Sequence, residues 1–299
     1  MSETAVVDVI RHQGPMTGSQ LFEASRMGVL SLWRQCRSSP SLHQERAGRR
    51  YLRLDRAVEG YARLSPSIRR EFLTYTVWGL QYQTEAIRIR AAERQREIAA
   101  ISLEKINLAR EIAVAVLAGN ELSGLAERAC FLIAGDVVYN MAHRVPRPEK
   151  STGEMVRGSD LDIVIITAAG VTEAQREALD HAIYEKKHFF LVHPDYREEV
   201  DYLIKSLDRV REQMAFDTFE NMVACKIMDE SRLLYGSRTL FQQVKGLLAE
   251  RGIPGRIADL ESRAAAEREK AEADLLGQGI SSTASEHLFY TQEEGEEIY

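Results

Sequence analysis

The chain has 299 residues, of which 44% are hydrophobic and 28% are charged, and it carries a formal net charge of −6. This composition excludes an intrinsically disordered protein and is typical of a soluble globular one. No apolar run is long enough to cross a bilayer, so we expect no membrane partner. The length favours two main domains.

The N-terminal segment and the cysteines favour a cytoplasmic location. MSETAVVDVIRHQG has no basic flank followed by an apolar core, as a secretory signal would have. Cys36, Cys130 and Cys225 are widely separated and show neither metal-binding nor redox spacing. We therefore expect a protein of the reducing cytoplasm.

Charge is unevenly distributed along the chain. Residues 1–80 contain twelve arginines, no lysine and seven acidic residues, which gives them a charge of +5 and leaves −11 for the rest. A basic segment of this kind is typical of contact with a nucleic-acid phosphate backbone. The alternative, which stays open, is a basic face that packs against the acidic part of the same chain.

The first 56 residues show three short helices followed by a basic hairpin. AVVDVIRHQG has apolar residues at helical spacing, PMTGSQLFEASR offers Thr17 or Ser19 as a helix cap, and MGVLSLWRQCRSS predicts a third helix. SLHQERAGRRYLRLD alternates around Ala47-Gly48, which predicts a hairpin with arginines at its tip. This order resembles a winged helix-turn-helix domain, which we assign to residues 1–56.

The winged-helix resemblance implies contact with DNA or RNA. In that family the third helix enters the major groove and the hairpin touches the backbone, and Arg and Gln read guanine and adenine edges. The implied nucleic-acid-binding residues are Arg34, Gln35 and Arg37 on the third helix and Arg46, Arg49 and Arg50 in the hairpin. Winged helices also serve as protein-docking modules, so that alternative stays open.

Residues 57–125 are predicted to form a helical linker. RAVEGYARL and SIRREFLTYTVWGLQ are typical of helices, and residues 83–116 form a long amphipathic one. Its apolar stripe consists of Ile87, Ala91, Ile98, Ile101, Leu108 and Ile112. Such a stripe is typical of core packing, of a spacer between domains or of a homo-oligomer contact, and the sequence leaves these alternatives open.

Residues 126–215 are predicted to form an α/β domain. ERACFLIAGD is a buried strand that ends at Gly135, and DVVYNMAHRV follows as a helix. A loop rich in Pro, Gly, Ser and Thr leads to the strand SDLDIVIIT, a helix capped by Thr172 crosses the sheet, and REEVDYLIKSLD supplies another strand. The whole chain is therefore predicted to be a mixed α+β and α/β protein.

Two aspartates at the start of the strand SDLDIVIIT carry the chemistry. Asp160 and Asp162 share one face because strand side chains alternate, and two like charges beside an apolar core repel each other. A divalent cation, which prefers hard oxygen ligands, compensates such a pair. The alternative is a turn into a strand, with Asp160 as a turn residue and Asp162 on a solvated face.

This segment resembles the catalytic core of the DNA polymerase β-like nucleotidyltransferase superfamily. That family carries a glycine turn, an Asp-x-Asp pair and an acidic residue on a neighbouring strand, which correspond to Gly135-Asp136, Ser159–Asp162 and Val200–Tyr202. The resemblance implies a transferase that depends on Mg²⁺ or Mn²⁺ and uses a nucleoside triphosphate such as ATP. It implies Asp160, Asp162 and Asp201 as catalytic metal ligands, with Asp201 also activating the attacking hydroxyl. Glu199 and Asp208 lie near Asp201, which is chosen because apolar residues flank it as in the family pattern.

The same resemblance implies a nucleotide site made of Gly135, Asp136, Ser159 and Lys226. The family's turn normally reads Gly-Ser or Gly-Gly, whose hydroxyl and amides hold the triphosphate, so Asp136 departs from the pattern. The basic residues of the long inserted loop are candidates to replace those contacts or to recognise an acceptor. They are Arg144, Arg147 and Lys150.

The C-terminal part completes the predicted organisation. Residues 216–275 are expected to be helical around a Leu-Leu-Tyr-Gly turn, and residues 276–299 to form an acidic tail. We expect an enzyme that moves a nucleoside monophosphate from a triphosphate to an unidentified nucleic-acid or protein acceptor. The alternatives are a winged-helix regulator whose nucleotidyltransferase fold only senses nucleotide, and a scaffold joined through the helix of residues 83–116.

Overall fold

The chain is a mixed α+β protein that forms two compact units, which confirms the predicted class. The computed structural model describes residues 3–119, 122–277, 282–291 and 294. The first unit contains the chain up to Ala99 and from Glu261 onwards, and the second unit is Ala100–Leu260. Within these described ranges, no helix is long and apolar enough to cross a membrane. The finer division into five segments stays a prediction.

Both units contain helices and strands. The helices are α1 Glu3–Gln13, α2 Gly18–Ser25, α3 Val29–Ser38, α4 Ile68–Tyr75, α5 Thr84–Leu117, α6 Glu173–Val192, α7 Leu207–Gln213, α8 Phe219–Glu230, α9 Arg238–Glu250, α10 Ile253–Leu276 and α11 Ser282–Phe289. The strands are β1 Met16–Thr17, β2 Leu42–Arg46, β3 Tyr51–Leu54, β4 Ala62–Ser65, β5 Thr76–Leu80, β6 Ala129–Ile133, β7 Pro146–Pro148, β8 Met155–Arg157, β9 Leu161–Thr167, β10 Val200–Ser206 and β11 Arg232–Gly236. The predicted caps Thr17 and Thr172 both accept a main-chain hydrogen bond in the first turn of their helices.

The first unit has two small antiparallel sheets, ordered β1–β5–β2 and β3–β4. The predicted hairpin around Ala47-Gly48 is wrong, because β2 pairs with β5 and β3 pairs with β4. Ala47 is buried and its N–H donates to the Tyr75 carbonyl oxygen at 2.8 Å, so the chain here follows β5 and does not turn back.

The helix predicted for SIRREFLTYTVWGLQ is observed only over Ile68–Tyr75, because Thr76–Leu80 is the strand β5. The helix predicted for RAVEGYARL is also wrong. Gly60 and Tyr61 both have left-handed φ angles, of 70° and 64°, which end any helix there. The Asp55 N–H donates to the Tyr61 carbonyl oxygen at 2.7 Å, and this turn brings β4 back against β3.

A buried ion network joins α4 to α10 inside the first unit. Arg50 donates to Glu71 Oε2 at 2.7 Å and to Glu272 Oε1 at 2.6 Å. Arg268 donates to Glu71 Oε2 at 3.0 Å, to Glu272 Oε1 at 2.9 Å and to the Pro66 carbonyl oxygen at 2.8 Å. Burial alone would raise the pKa of Glu71, but the Arg50 hydrogen bond and the neighbouring arginine charges hold that pKa below its ordinary value.

The second unit is built on a four-stranded sheet ordered β10–β9–β6–β11. β9 and β10 run parallel and are connected by α6, whereas the β9–β6 and β6–β11 pairs are antiparallel. Ile163 and Ile165 of β9 share one core cluster with Ile112 of α5 and Leu179 of α6. The strands and the crossing helix predicted for residues 129–206 are therefore confirmed.

The apolar stripe of α5 is core packing in both units. Ile87 and Ala91 form a buried cluster with Val77 of β5 in the first unit. Ile112 belongs to the core of the second unit. The homo-oligomer contact through this helix stays a prediction.

Two predictions for the second unit are wrong, and part of the predicted C-terminal tail lies outside the described residues. DVVYNMAHRV forms only a short 3-10 turn over Asp136–Tyr139, because Asn140 takes a left-handed φ of 56°. The Leu-Leu-Tyr-Gly segment is the strand β11, which pairs with the edge of β6 that β9 leaves unpaired. Of the predicted tail, residues 278–281, 292–293 and 295–299 lie outside the described residues.

We expect the Arg268→Met substitution to destabilise the first unit by about 3 kcal/mol, because it removes one partner of a buried ion network. Urea unfolding measures this loss. Arg263→Met is the matched control, since this residue is exposed on the same helix, and it should change stability by less than ~0.5 kcal/mol. Equal losses for the two variants would contradict the importance of the network.

Candidate metal and nucleotide site

The parallel pairing of β9 and β10 gathers acidic side chains on one face of the sheet. Asp162 lies opposite Asp201 in this register. The Leu161 N–H donates to the Glu199 carbonyl oxygen at 2.9 Å, which sets Glu199 level with Asp160. Because alternate residues of a strand share a face, the two pairs stand on the same side.

Three of these residues form a cluster that could hold a metal ion. One carboxylate oxygen from each of Asp160, Glu199 and Asp201 lies within 4.8 Å of the other two. Two of the predicted ligands therefore come together as expected, whereas Asp162 is not part of the cluster. Glu199 was not predicted as a ligand, although its spacing of two residues from Asp201 was a signal that it shares the same face.

Two cations contact the cluster. Arg147 Nη2 bridges Asp160 and Glu199 and lies 2.8 Å from Glu199 Oε2. Lys187 of α6 donates to Asp201 Oδ1 at 2.9 Å. Three carboxylates thus face two cations, and the formal charge of these five side chains is −1.

Glu199 gives an independent reason to expect a cation. Its exposed fraction is 7%, and its Oε2 atom is buried without a hydrogen bond from any described residue, since the Arg147 contact is an ion pair that lacks hydrogen-bond geometry. A buried carboxylate oxygen that accepts no hydrogen bond is costly. Hard carboxylate oxygens are the ligands that Mg²⁺ prefers. The donor set therefore fits a divalent cation, which would replace the Arg147 contact.

Asp162 packs against the glycine turn that follows β6. Gly135 has a left-handed φ of 77°, and a Cβ atom placed on it would lie 2.2 Å from Asp162 Oδ2. The predicted residues Asp136 and Ser159 also meet here, because the Ser159 hydroxyl donates to Asp136 Oδ2. Ser159 Oγ in turn accepts the His143 N–H at 3.0 Å. Asp136 thus fixes the loop before Asp160.

Lys226 lies beside the same turn but is already paired. Its ammonium contacts Glu230 and donates to the Tyr139 hydroxyl at 3.1 Å. Glu230 Oε1 accepts the Gly135 N–H at 3.0 Å. The Glu230 carboxylate therefore pairs with Lys226 and accepts the Gly135 N–H. The resemblance assigns both of these groups to the triphosphate. Their nucleotide-binding role stays a prediction.

The hairpin of β7 and β8 carries Arg147 to the cluster. Its turn is closed by Glu149, which is buried and accepts the Ser151 N–H at 3.0 Å and the Thr152 N–H at 2.7 Å, together with both hydroxyls. Burial alone would raise the pKa of Glu149, but these four donors lower it to about 2. Arg144, another basic residue of the inserted loop, pairs with Glu104 of α5.

The arginines predicted to bind nucleic acid make contacts within the first unit. Arg34 donates to the Leu275 carbonyl oxygen at 2.7 Å, and Arg37 lies 3.5 Å from Glu272. Arg46 lies 3.6 Å from Glu71, which is also a partner of Arg50. Gln35 is half-buried and Arg49 is exposed. The alternative of a basic face that packs on acidic groups of the same chain thus describes three of these six residues, Arg37, Arg46 and Arg50.

Comparisons of the chain with protein-family models, curated proteins and solved structures find no match. Its relation to the two families that it resembles stays a prediction, and the geometry of the site carries the functional argument.

We expect Gly135→Ala to destabilise the second unit more than Gly153→Ala does. Both glycines have left-handed φ angles, but a Cβ atom at Gly153 meets nothing within 4 Å, whereas at Gly135 it meets Asp162. The difference in urea unfolding free energy should be about 1–3 kcal/mol, the usual cost of overpacking. Equal losses would show that Asp162 can leave the turn without cost.

The hairpin that carries Arg147 should stay closed well into acidic pH. Because the folded-state pKa of Glu149 is depressed to about 2, its stabilisation is complete above its unfolded pKa of about 4.3 and is lost progressively as pH falls from there through about 2. Carbon-13 NMR titration of the Glu149 carboxyl measures this midpoint. A midpoint near 4 would contradict the closed turn.

Proposed function

We propose that the chain is a metal-dependent nucleotidyltransferase that moves a nucleoside monophosphate from a nucleoside triphosphate to an acceptor hydroxyl and releases pyrophosphate. The observation that carries the proposal is the cluster of Asp160, Glu199 and Asp201 on the paired ends of β9 and β10. In the proposed site, Mg²⁺ or Mn²⁺ binds this cluster. The bound ion supplies charge stabilisation at the reacting phosphate.

The chain's own residues have separate roles in this proposal. Asp160 and the buried Glu199 are metal ligands, and Asp201, whose side chain is half exposed, is the ligand that can also accept the proton of an acceptor hydroxyl. Arg147 and Lys187 lie at the cluster and are the cations best placed to contact the triphosphate. In this proposal Arg147 and Lys187 take the phosphate-binding role that the resemblance assigned to Lys226, because Lys226 is paired with Glu230. Asp162 supports the glycine turn.

A nucleotide sensor without turnover is the second candidate function. One observation favours it. The Gly135 N–H, which the resemblance assigns to a triphosphate, already donates a hydrogen bond to Glu230. Such a sensor would bind nucleotide and change a property of the first unit, with no product formed. The winged-helix assignment of residues 1–56, and DNA or RNA as their partner, belong to this candidate as well as to the enzyme.

The acceptor is proposed to be a nucleic acid or a protein. We do not propose α3 as the reading helix, because Arg34 and Arg37 contact α10 of the same unit.

The experiment is a transfer assay with each α-³²P-labelled nucleoside triphosphate, Mg²⁺ or Mn²⁺, and RNA, DNA or cell extract as acceptor. We expect labelled product with the wild type and roughly 100-fold less with Asp160→Asn or Glu199→Gln, because losing a metal ligand removes several kcal/mol of charge stabilisation. Glu185→Gln, which removes an exposed carboxylate of α6, is the control and should keep full activity.

The outcomes separate the two candidates. Nucleotide binding without label transfer to any acceptor would contradict the enzyme and favour the sensor. Label transfer that survives in both cluster variants would place the reaction elsewhere in the chain.

A further inference from the structure

A buried lysine of α5 lies directly behind the carboxylate cluster. Lys105 has an exposed fraction of 4% and belongs to the second unit. Its ammonium donates to the Ser159 carbonyl oxygen at 2.7 Å, to the Arg157 carbonyl oxygen at 3.1 Å and to the Glu198 carboxylate. A lysine ammonium has three N–H donors, so all three are used.

The acceptors of Lys105 lie on the two chain segments that carry the cluster. Ser159 immediately precedes Asp160, and Glu198 immediately precedes Glu199. One ammonium therefore joins the segments at a point one residue before a ligand on each side. The Leu161 N–H, which donates to the Glu199 carbonyl oxygen at 2.9 Å, is the next link between the same segments.

This arrangement does more than neutralise a buried acid. If Lys105 served only to compensate the charge of Glu198, its single contact with the Glu198 carboxylate would be enough. Apolar residues often replace such buried ion pairs without loss of stability. The two bonds to main-chain carbonyls need a donor, and they fix the backbone from which Asp160 projects.

We infer that Lys105 is a positioning residue that sets the separation of Asp160 and Glu199 and thereby the affinity of the cluster for a divalent cation. The inference rests on the proposed function for its link to metal binding. The alignment of the two segments is a separate consequence that can be measured in the protein without metal.

A second buried lysine provides a matched control. Lys245 of α9 also belongs to the second unit and donates to two main-chain carbonyls, those of Met228 at 2.6 Å and Asp229 at 2.5 Å. Those carbonyls lie at the end of α8 and carry no residue of the cluster. Lys245→Met therefore removes a similar structural contact without touching the segments of Asp160 and Glu199.

The test combines amide hydrogen exchange at Leu161 with Mn²⁺ affinity from electron paramagnetic resonance. In Lys105→Met we expect exchange at Leu161 to be at least about tenfold faster relative to the central amides of β9, and Mn²⁺ affinity to fall about tenfold. Lys105→Arg should recover part of both, because it restores donors. Lys245→Met should change neither, although it lowers stability.

Removing the acid as well separates positioning from charge compensation. In Lys105→Met/Glu198→Gln, both defects should persist, because the main-chain bonds are still missing. Recovery of both in this double variant would overturn the inference, and so would unchanged exchange at Leu161 in Lys105→Met. If the wild type binds no Mn²⁺ at the cluster, the proposed function fails, and the exchange measurement still decides the role of Lys105.

Discussion

The parallel pairing of β9 with β10 is the constraint on which the candidate site depends. It sets Asp162 opposite Asp201 and brings Glu199 level with Asp160, so that two Asp- or Glu-bearing segments become one acidic face. A slip of one residue would turn the β10 acids to the opposite face of the sheet. The cluster therefore depends on the β9–β10 register, and no single sequence motif is enough to form it.

Other elements of the second unit stabilise this like-charged face. The β7–β8 hairpin brings Arg147 to it, α6 brings Lys187, and α5 holds the backbone behind it through Lys105. In the first unit the signs are reversed, because the acidic side chains of Glu71 and Glu272 compensate the positive charge of arginines in an Arg-rich segment. The uneven charge of the sequence thus has an internal structural explanation.

The sequence predicted the elements whose signal is local. The apolar run of β9, the alternation of β10 and the cap of α6 at Thr172 each lie within a few residues, and all were correct. The hairpin at Ala47-Gly48 failed because the partner of β2 is β5, about thirty residues away, which no local pattern reveals. Glu199 was missed because it precedes its strand, and its distance to Asp160 depends on the β9–β10 register.

The most direct test of the metal site is anomalous diffraction from crystals of the protein soaked with Mn²⁺ and a non-hydrolysable nucleoside triphosphate analogue. The account predicts an anomalous peak between the carboxylates of Asp160, Glu199 and Asp201, with oxygen distances of about 2.2 Å, and Arg147 moved from its bridge toward phosphate. A structure with nucleotide bound, no peak at these residues and Arg147 still bridging Asp160 and Glu199 would contradict it.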